Sequence, residues 1–268
     1  MRTLLILASL VSAAWLTAPA GAEELTGRQI LDEVSTRHEA PYELEAQTMT
    51  LVDKKGNQEV REVKRYTRKE TQGQFKYLVV FHGPPGVKGV ALLTWQHQQA
   101  DDDQWMYLPA YGDKVKRIAK GSKKNYFMGT DFTFEDLVSE SRDKFAYERK
   151  PDETLNGVDC YVVDAIPSDP ELIKETGYSK RTLWIKKETF IAVRTDYFDK
   201  PGKLLKRQTA ADLVNIAGPM WRPTTATMEN FSTSHSTIVK VEHRAFEESA
   251  VPDDVFQERF LISGRHIR

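Results

Sequence analysis

The feature that most constrains this chain is the recurrence, from residue 44 to residue 244, of short segments alternating apolar and polar residues and separated by turn-forming residues. Alternation with a period of two puts one face of a strand on a core and the other in solvent. Such segments cover 44–52, 59–69, 74–81, 87–96 and 104–108, and later 144–150, 155–166, 181–186, 191–198, 203–213, 222–230 and 237–244. Asp53-Lys54-Lys55-Gly56-Asn57, Gln72-Gly73, Gly83-Pro84-Pro85-Gly86, Asn156-Gly157 and Asp199-Lys200-Pro201-Gly202 fall between them and favour tight reversals. The pattern predicts a mainly β (α+β) antiparallel meander of roughly a dozen strands.

Three segments depart from this rhythm. Thr26 precedes 27–37, whose Ile30, Leu31 and Val34 follow helical spacing, and Pro41 stops that helix. Thr133-Phe134-Glu135-Asp136 matches the hydroxyl-x-x-acid start of a short helix running through Leu137 and Val138. A last helical turn or two is expected from Pro252 to Phe260. No linker or repeat divides the chain, so one domain over residues 23–268 is expected.

Residues 1–22 carry Arg2, an apolar run from Leu4 to Leu16 and small residues at 18–22, the pattern of a secretory signal peptide. Because the single cysteine is Cys160, we expect neither a lipid anchor after that leader nor an intramolecular disulfide, and hence a soluble periplasmic protein. Cys160 sits in an alternating run, as a small buried apolar residue would.

Charge is balanced, at 38 basic against 39 acidic residues, which gives no reason to expect nucleic acid binding. Basic runs at 114–117 and 120–124 are read first as solvated surface, and second as docking sites for anionic lipid or a partner. No nucleophile elbow, zinc-binding helix, phosphate loop or dinucleotide motif occurs, so no catalytic residue, metal or cofactor is assigned and an enzyme is not expected. His97 with Asp101, Asp102 and Asp103 could suggest a metal site, but adjacent acids in a turn point apart. His235 and His243, eight residues apart on one strand, are too distant to share an ion.

The positive signal is aromatic, concentrated in 103–109 and 126–137. Side chains such as Phe127, Met128, Phe132, Phe134 and Leu137 are costly to leave in water and must cover either the protein's own core or a guest. A long curled sheet closed by helices leaves a hollow that suits an apolar ligand.

Taken together, Gly86-Val87-Lys88-Gly89-Val90-Ala91-Leu92-Leu93, Trp105-Met106-Tyr107-Leu108-Pro109, Lys116-Arg117-Ile118, Phe127-Met128-Gly129-Thr130-Asp131-Phe132-Thr133-Phe134-Glu135-Asp136-Leu137 and Leu183-Trp184-Ile185 resemble the outer-membrane lipoprotein-sorting protein family, within the LolA/LolB-like superfamily. The resemblance implies an unclosed antiparallel β-barrel whose concave face is covered by helices. It also implies lipid or lipoprotein acyl chains as ligands, with a resistance-nodulation-division (RND) type inner-membrane exporter or an outer-membrane acceptor as partner. By that analogy 126–137 is a helical lid, and Phe81, Trp105, Tyr107 and Trp184 line the cavity with Phe127, Met128, Phe132, Phe134 and Leu137. Two other classes stand beside the carrier: a scaffold or sensor that contacts an inner-membrane partner through a filled core, and a lipid hydrolase whose nucleophile would have to be assembled from distant strands.

Overall fold

The computed structural model describes residues 24–70, 74–97, 100–112 and 114–267. The expected leader and the Gln72-Gly73 turn lie outside them. Helix α1 (Gly27–His38) is capped by Thr26, whose hydroxyl accepts from Gln29 N while the Gln29 side chain accepts from Thr26 N, satisfying two amides that the first turn leaves without partners.

Thirteen strands follow: β1 (Tyr42–Val52), β2 (Gln58–Lys69), β3 (Phe75–Gly83), β4 (Ala91–Trp95), β5 (Asp103–Tyr107), β6 (Val115–Arg117), β7 (Phe145–Leu155), β8 (Val158–Pro167), β9 (Lys180–Lys186), β10 (Ala192–Phe198), β11 (Leu204–Ala217), β12 (Met220–Asn230) and β13 (His235–Ala245). Helix α2 (Pro170–Thr176) lies between β8 and β9, and α3 (Glu258–Ile262) lies near the C-terminus. All form one antiparallel sheet in the order β6-β5-β4-β3-β2-β1-β13-β12-β11-β10-β9-β8-β7. Every pair of strands adjacent in the sheet is consecutive in sequence except β1 and β13, which meet at a seam, while β6 and β7 stand at opposite edges. The sheet is unclosed, and the segment between β6 and β7 joins its two edges.

Turn chemistry fixes the hairpins. Asp53 Oδ1 accepts from Lys55 N at 2.7 Å and Asn57 N at 2.9 Å, closing β1 onto β2. Asn156 (φ 51°) and Gly157 (φ 80°) both occupy the left-handed region that a two-residue hairpin of matching twist requires. Strand β4 begins at Ala91 rather than near Val87, because 84–90 form turns in which Val87 N donates to Pro84 O and Val90 N to Val87 O.

Strand alternation divides the apolar residues between two faces. The inner face carries Val79, Phe81, Leu92, Met49 and Val63 at one end, and Val163 and Ile185 packed on Ile30 and Leu31 of α1 at the other. The outer face carries Leu78, Val80, Ala91 and Leu93, roofed by Val251, Val255, Phe256 and Leu261 from the C-terminal segment. A second outer patch joins Cys160, Val162 and Trp184. Cys160 is fully buried and burial pushes its thiol pKa up, consistent with a structural residue.

Candidate functional site

The segment 126–137, here called the plug, lies on the inner face, with Phe127 and residues 130–134 buried, Met128 and residues 135–137 half-buried, and Tyr126 and Gly129 exposed. Its backbone folds on itself: Phe127 N donates to Phe132 O at 2.8 Å and Tyr126 bridges to Thr133, with Met128 and Gly129 at positive φ at the tip. The expected helix is a single 3-10 turn, Glu135–Leu137. The reciprocal cap does form, Thr133 N donating to Asp136 Oδ2 at 2.6 Å and Asp136 N to Thr133 Oγ1 at 3.3 Å. The Asp136 carboxylate is also drawn sideways into other bonds, and the backbone returns to extended geometry at Val138, so no second turn follows.

Phe127 packs on Phe81 with ring centroids 5.5 Å apart and on Phe134 at 5.7 Å. Phe132 joins Tyr178, Tyr197 and Met228. Burying each such ring contributes about 1.5–3 kcal/mol. Two buried carboxylates pin the segment to the sheet. Asp131 Oδ2 accepts from His235 Nδ1 at 2.6 Å and from Thr237 Oγ1 at 2.8 Å, both on β13. Asp136 accepts from Tyr178 OH at 3.1 Å and pairs with Lys206 of β11.

Lys206 is fully buried, and its ammonium also donates to Asp131 O at 3.1 Å. It lies 4.9 Å from the centroid of Tyr197, 5.1 Å from Tyr178 and 5.7 Å from Tyr126. Burial lowers the lysine pKa, opposed by the attraction of Asp136. For the same reason, burial first and the Asp136 charge second, Tyr178 and Tyr197 are pushed well above the usual phenol range.

Two hollows open on the inner face, the smaller of them against the plug. The larger, about 540 Å³, lies between α1, β2, β3 and residues 139–143, with Leu31, Val34, Phe75 and Tyr77 among charged neighbours. The smaller, about 200 Å³, has Met49, Phe132, Leu137, Ala226 and Val239 in its walls. Arg65 borders both.

Known proteins bear on this arrangement. A model of a family described as "Uncharacterized protein" matches residues 73–263. The crystal structure of an outer membrane lipoprotein-sorting protein domain from Vibrio parahaemolyticus superposes with a TM-score of 0.82 at 30% identity, over 88% of this chain and 98% of that one. The chain belongs to the outer membrane lipoprotein-sorting protein family. A DUF1329 family protein from Desulfovibrio piger aligns at 26% identity and TM-score 0.81, over 88% of this chain and 97% of that one. A LolA superfamily protein from Nitrosomonas europaea shares the fold at 16% identity and TM-score 0.70, over 88% of this chain and all (100%) of that one. No curated protein matches.

Within this lipoprotein-sorting fold the nine residues expected at the cavity separate by strand parity. Phe81, Phe127, Met128, Phe132, Phe134 and Leu137 gather on the inner face, where they fill the interior. Trp105 and Tyr107 lie on the outer face under the C-terminal segment, Trp105 against Trp95 at 5.1 Å and Tyr107 against His266 at 4.9 Å. Trp184 is outer as well, its Nε1 donating to Glu153 at 2.8 Å. The expectation that these three line one cavity with Phe81 is corrected, because Met106 of β5, Leu92 of β4 and Ile185 of β9 point inward and the pleat turns Trp105, Tyr107 and Trp184 outward.

Sequence reasoning gave no site role to Lys206, Tyr178, Tyr197 or Arg65. A lysine directly after Leu204 and Leu205 was the available signal for a buried cation.

The acidic turn behaves as its spacing suggests: Asp101 pairs with Lys120 at 3.1 Å, Asp102 with Lys123 at 3.2 Å, and Asp103 with Arg117 and with His97 at 3.0 Å. Among the described residues no group of three or more His, Cys, Asp or Glu side chains could hold a metal ion, and no helix is long and apolar enough to cross a membrane.

Proposed function

We propose that this protein is an exported carrier of the bacterial periplasm that binds the acyl chains of lipids or lipoproteins on the inner face of its sheet. The observation that carries the reading is the plug itself. In a lipoprotein-sorting family, an aromatic-rich segment carrying Met128 lies between the two sheet edges in the chain and is fastened by a few polar pins beside a small hollow lined by both apolar and charged residues. Acyl chains displacing this segment would replace ring contacts with methylene contacts, each buried methylene contributing about 0.8 kcal/mol. Met128, an unbranched thioether at the tip, suits a surface that must fit guests of varied shape. The cargo would pass between an RND-type inner-membrane exporter and an outer-membrane acceptor.

One observation favours a second reading, a scaffold or sensor that contacts an inner-membrane partner: Phe127 and Phe134 already occupy the interior. The two readings separate in one experiment. Protein purified without detergent is extracted with organic solvent and its lipids identified by mass spectrometry, beside Ala226→Trp, which fills the smaller hollow. The carrier predicts stoichiometric lipid in the natural protein and its loss in the variant, with the circular dichroism of both unchanged. Protein that is lipid-free, and that takes up no added fluorescent fatty acid, would leave the scaffold standing.

A further inference from the structure

The two hollows meet at Arg65, a cation that approaches a carboxylate without a hydrogen bond to it. On the floor between them stand three guanidinium groups, Arg65, Arg222 and Arg244, and two carboxylates, Glu43 and Glu45. Glu43 receives Arg222 through both oxygens at 2.9–3.2 Å. Glu45 Oε1 accepts from Arg244 Nε at 2.8 Å, and its Oε2 accepts from Gln47 Nε2 at 2.8 Å. Arg65 has only the 3.5 Å approach of Glu45 Oε2, and among the described residues no group accepts a hydrogen bond from its guanidinium.

Arg65 is nonetheless held in place. Its guanidinium lies 5.4 Å from the centroid of the buried Tyr77 ring, and Tyr77 is itself fixed by its hydroxyl bond to Ser139 Oγ at 2.8 Å. The side chain keeps 30% of its surface exposed, so the donors of a planar fork stay available to the hollows. On one side lies the roomier hollow with its mixed charge, and on the other the smaller one with Met49, Leu137 and Val239 in its walls.

A guanidinium with unbonded donors beside a hollow that also presents an apolar wall suits an amphiphile with an anionic head, so we infer that Arg65 receives the carboxylate or phosphate head of a single-chain lipid whose hydrocarbon end lies against Met49, Leu137 and Val239. This inference rests on the carrier reading and adds to it a head group and a polarity. The unbonded donors of Arg65 match one anionic head, and a single chain suits a hollow of about 200 Å³, which lies below the usual size of a small-molecule pocket.

The test titrates the full chain with a fluorescent long-chain fatty acid and with its uncharged methyl ester. The acid should bind at least about tenfold more tightly than the ester, the size of effect expected of a charge-assisted hydrogen bond. Arg65→Gln should remove that preference without weakening the ester, while Arg65→Lys should keep part of it. Equal affinity for acid and ester, or an equal loss of both in Arg65→Gln, would overturn the head-group assignment and leave the carrier intact. Failure of the natural protein to bind either probe would remove the carrier reading and this inference together. A lysophospholipid with an anionic head should displace the acid probe and millimolar inorganic phosphate should not; displacement by phosphate alone would overturn the lipid part of the inference.

Discussion

The inner and outer faces of the sheet are covered in physically different ways. The C-terminal segment on the outer face is held by Val251, Val255, Phe256 and Leu261, all buried against Leu78, Val80, Leu93 and Tyr107. Its polar ties are neutral or peripheral: Trp95 Nε1 donates to Phe256 O at 2.9 Å and His266 Nε2 to Gly89 O at 2.9 Å. The plug on the inner face also buries rings, but Asp131 and Asp136 fasten it through a lysine, a histidine and a threonine. Apolar contact is non-directional and yields gradually as parts separate. A buried ion pair is all or none, since separating its partners leaves each charge uncompensated. The outer cover is thus built as permanent structure and the inner one as a closure with discrete fastenings.

Asp136→Ala is the change that should break this contrast most severely. It leaves Lys206 charged and unpaired in the interior, at a cost of about 3–5 kcal/mol read from denaturant unfolding. Replacing both partners, Lys206→Met with Asp136→Leu, should cost distinctly less than the single change. A double variant as unstable as the single one would mean that the pair serves packing rather than charge compensation. On the outer face Phe256→Ala should cost about 3 kcal/mol by cavity formation, while fatty-acid uptake is retained because the segment lies across the sheet from both hollows. Loss of uptake in that variant would end the distinction between the faces.

Thr237→Val is a smaller probe of the plug. It removes one of the donors to Asp131 Oδ2 at about 1–1.5 kcal/mol, and hydrogen exchange should accelerate at the Phe127 and Phe132 amides before it does so in β3. The weakest effect is on pH dependence. Burial lowers the pKa of His38, His82 and His266 below the ordinary histidine value of 6.5. The unfolded chain therefore binds these protons first, and stability that is full above that value falls as pH drops below it. His266→Gln should flatten the fall between pH 7 and pH 5.5 by no more than about 1.4 kcal/mol per pH unit. An unchanged slope would show that His266 carries none of it.

The strands were legible because alternation and turn residues agree, as at Asn156-Gly157, where both residues take the positive φ their identities favour. Strand β6 was not, since three residues cannot show a period. Helix α2 carried a readable signal that went unused: Asp169 caps it, Pro170 opens it and Gly177 ends it in the left-handed conformation. The aromatic plug was visible as composition, and its five expected members do lie on the inner face with Phe81. Trp105, Tyr107 and Trp184 did not follow, because a strand's pattern shows that its faces differ without saying which one looks inward. Arg65 and Lys206 are ordinary basic residues in sequence. Their roles arise only when Gln47 and Arg244 occupy one carboxylate and three tyrosines surround the other cation.

The seam between β1 and β13 has a consequence for how the molecule is made. A chain that emerges N-terminus first can lay β2 to β6 onto β1 as a growing meander, but the other edge of β1 waits until His235–Ala245 has appeared. Over that interval an eleven-residue row of amides and carbonyls on β1 is open to any other extended segment, including a second copy of the same chain. Completion is therefore a late, long-range event, which slows folding relative to the local hairpins and makes the half-made sheet the species most in need of protection while the protein is being synthesised.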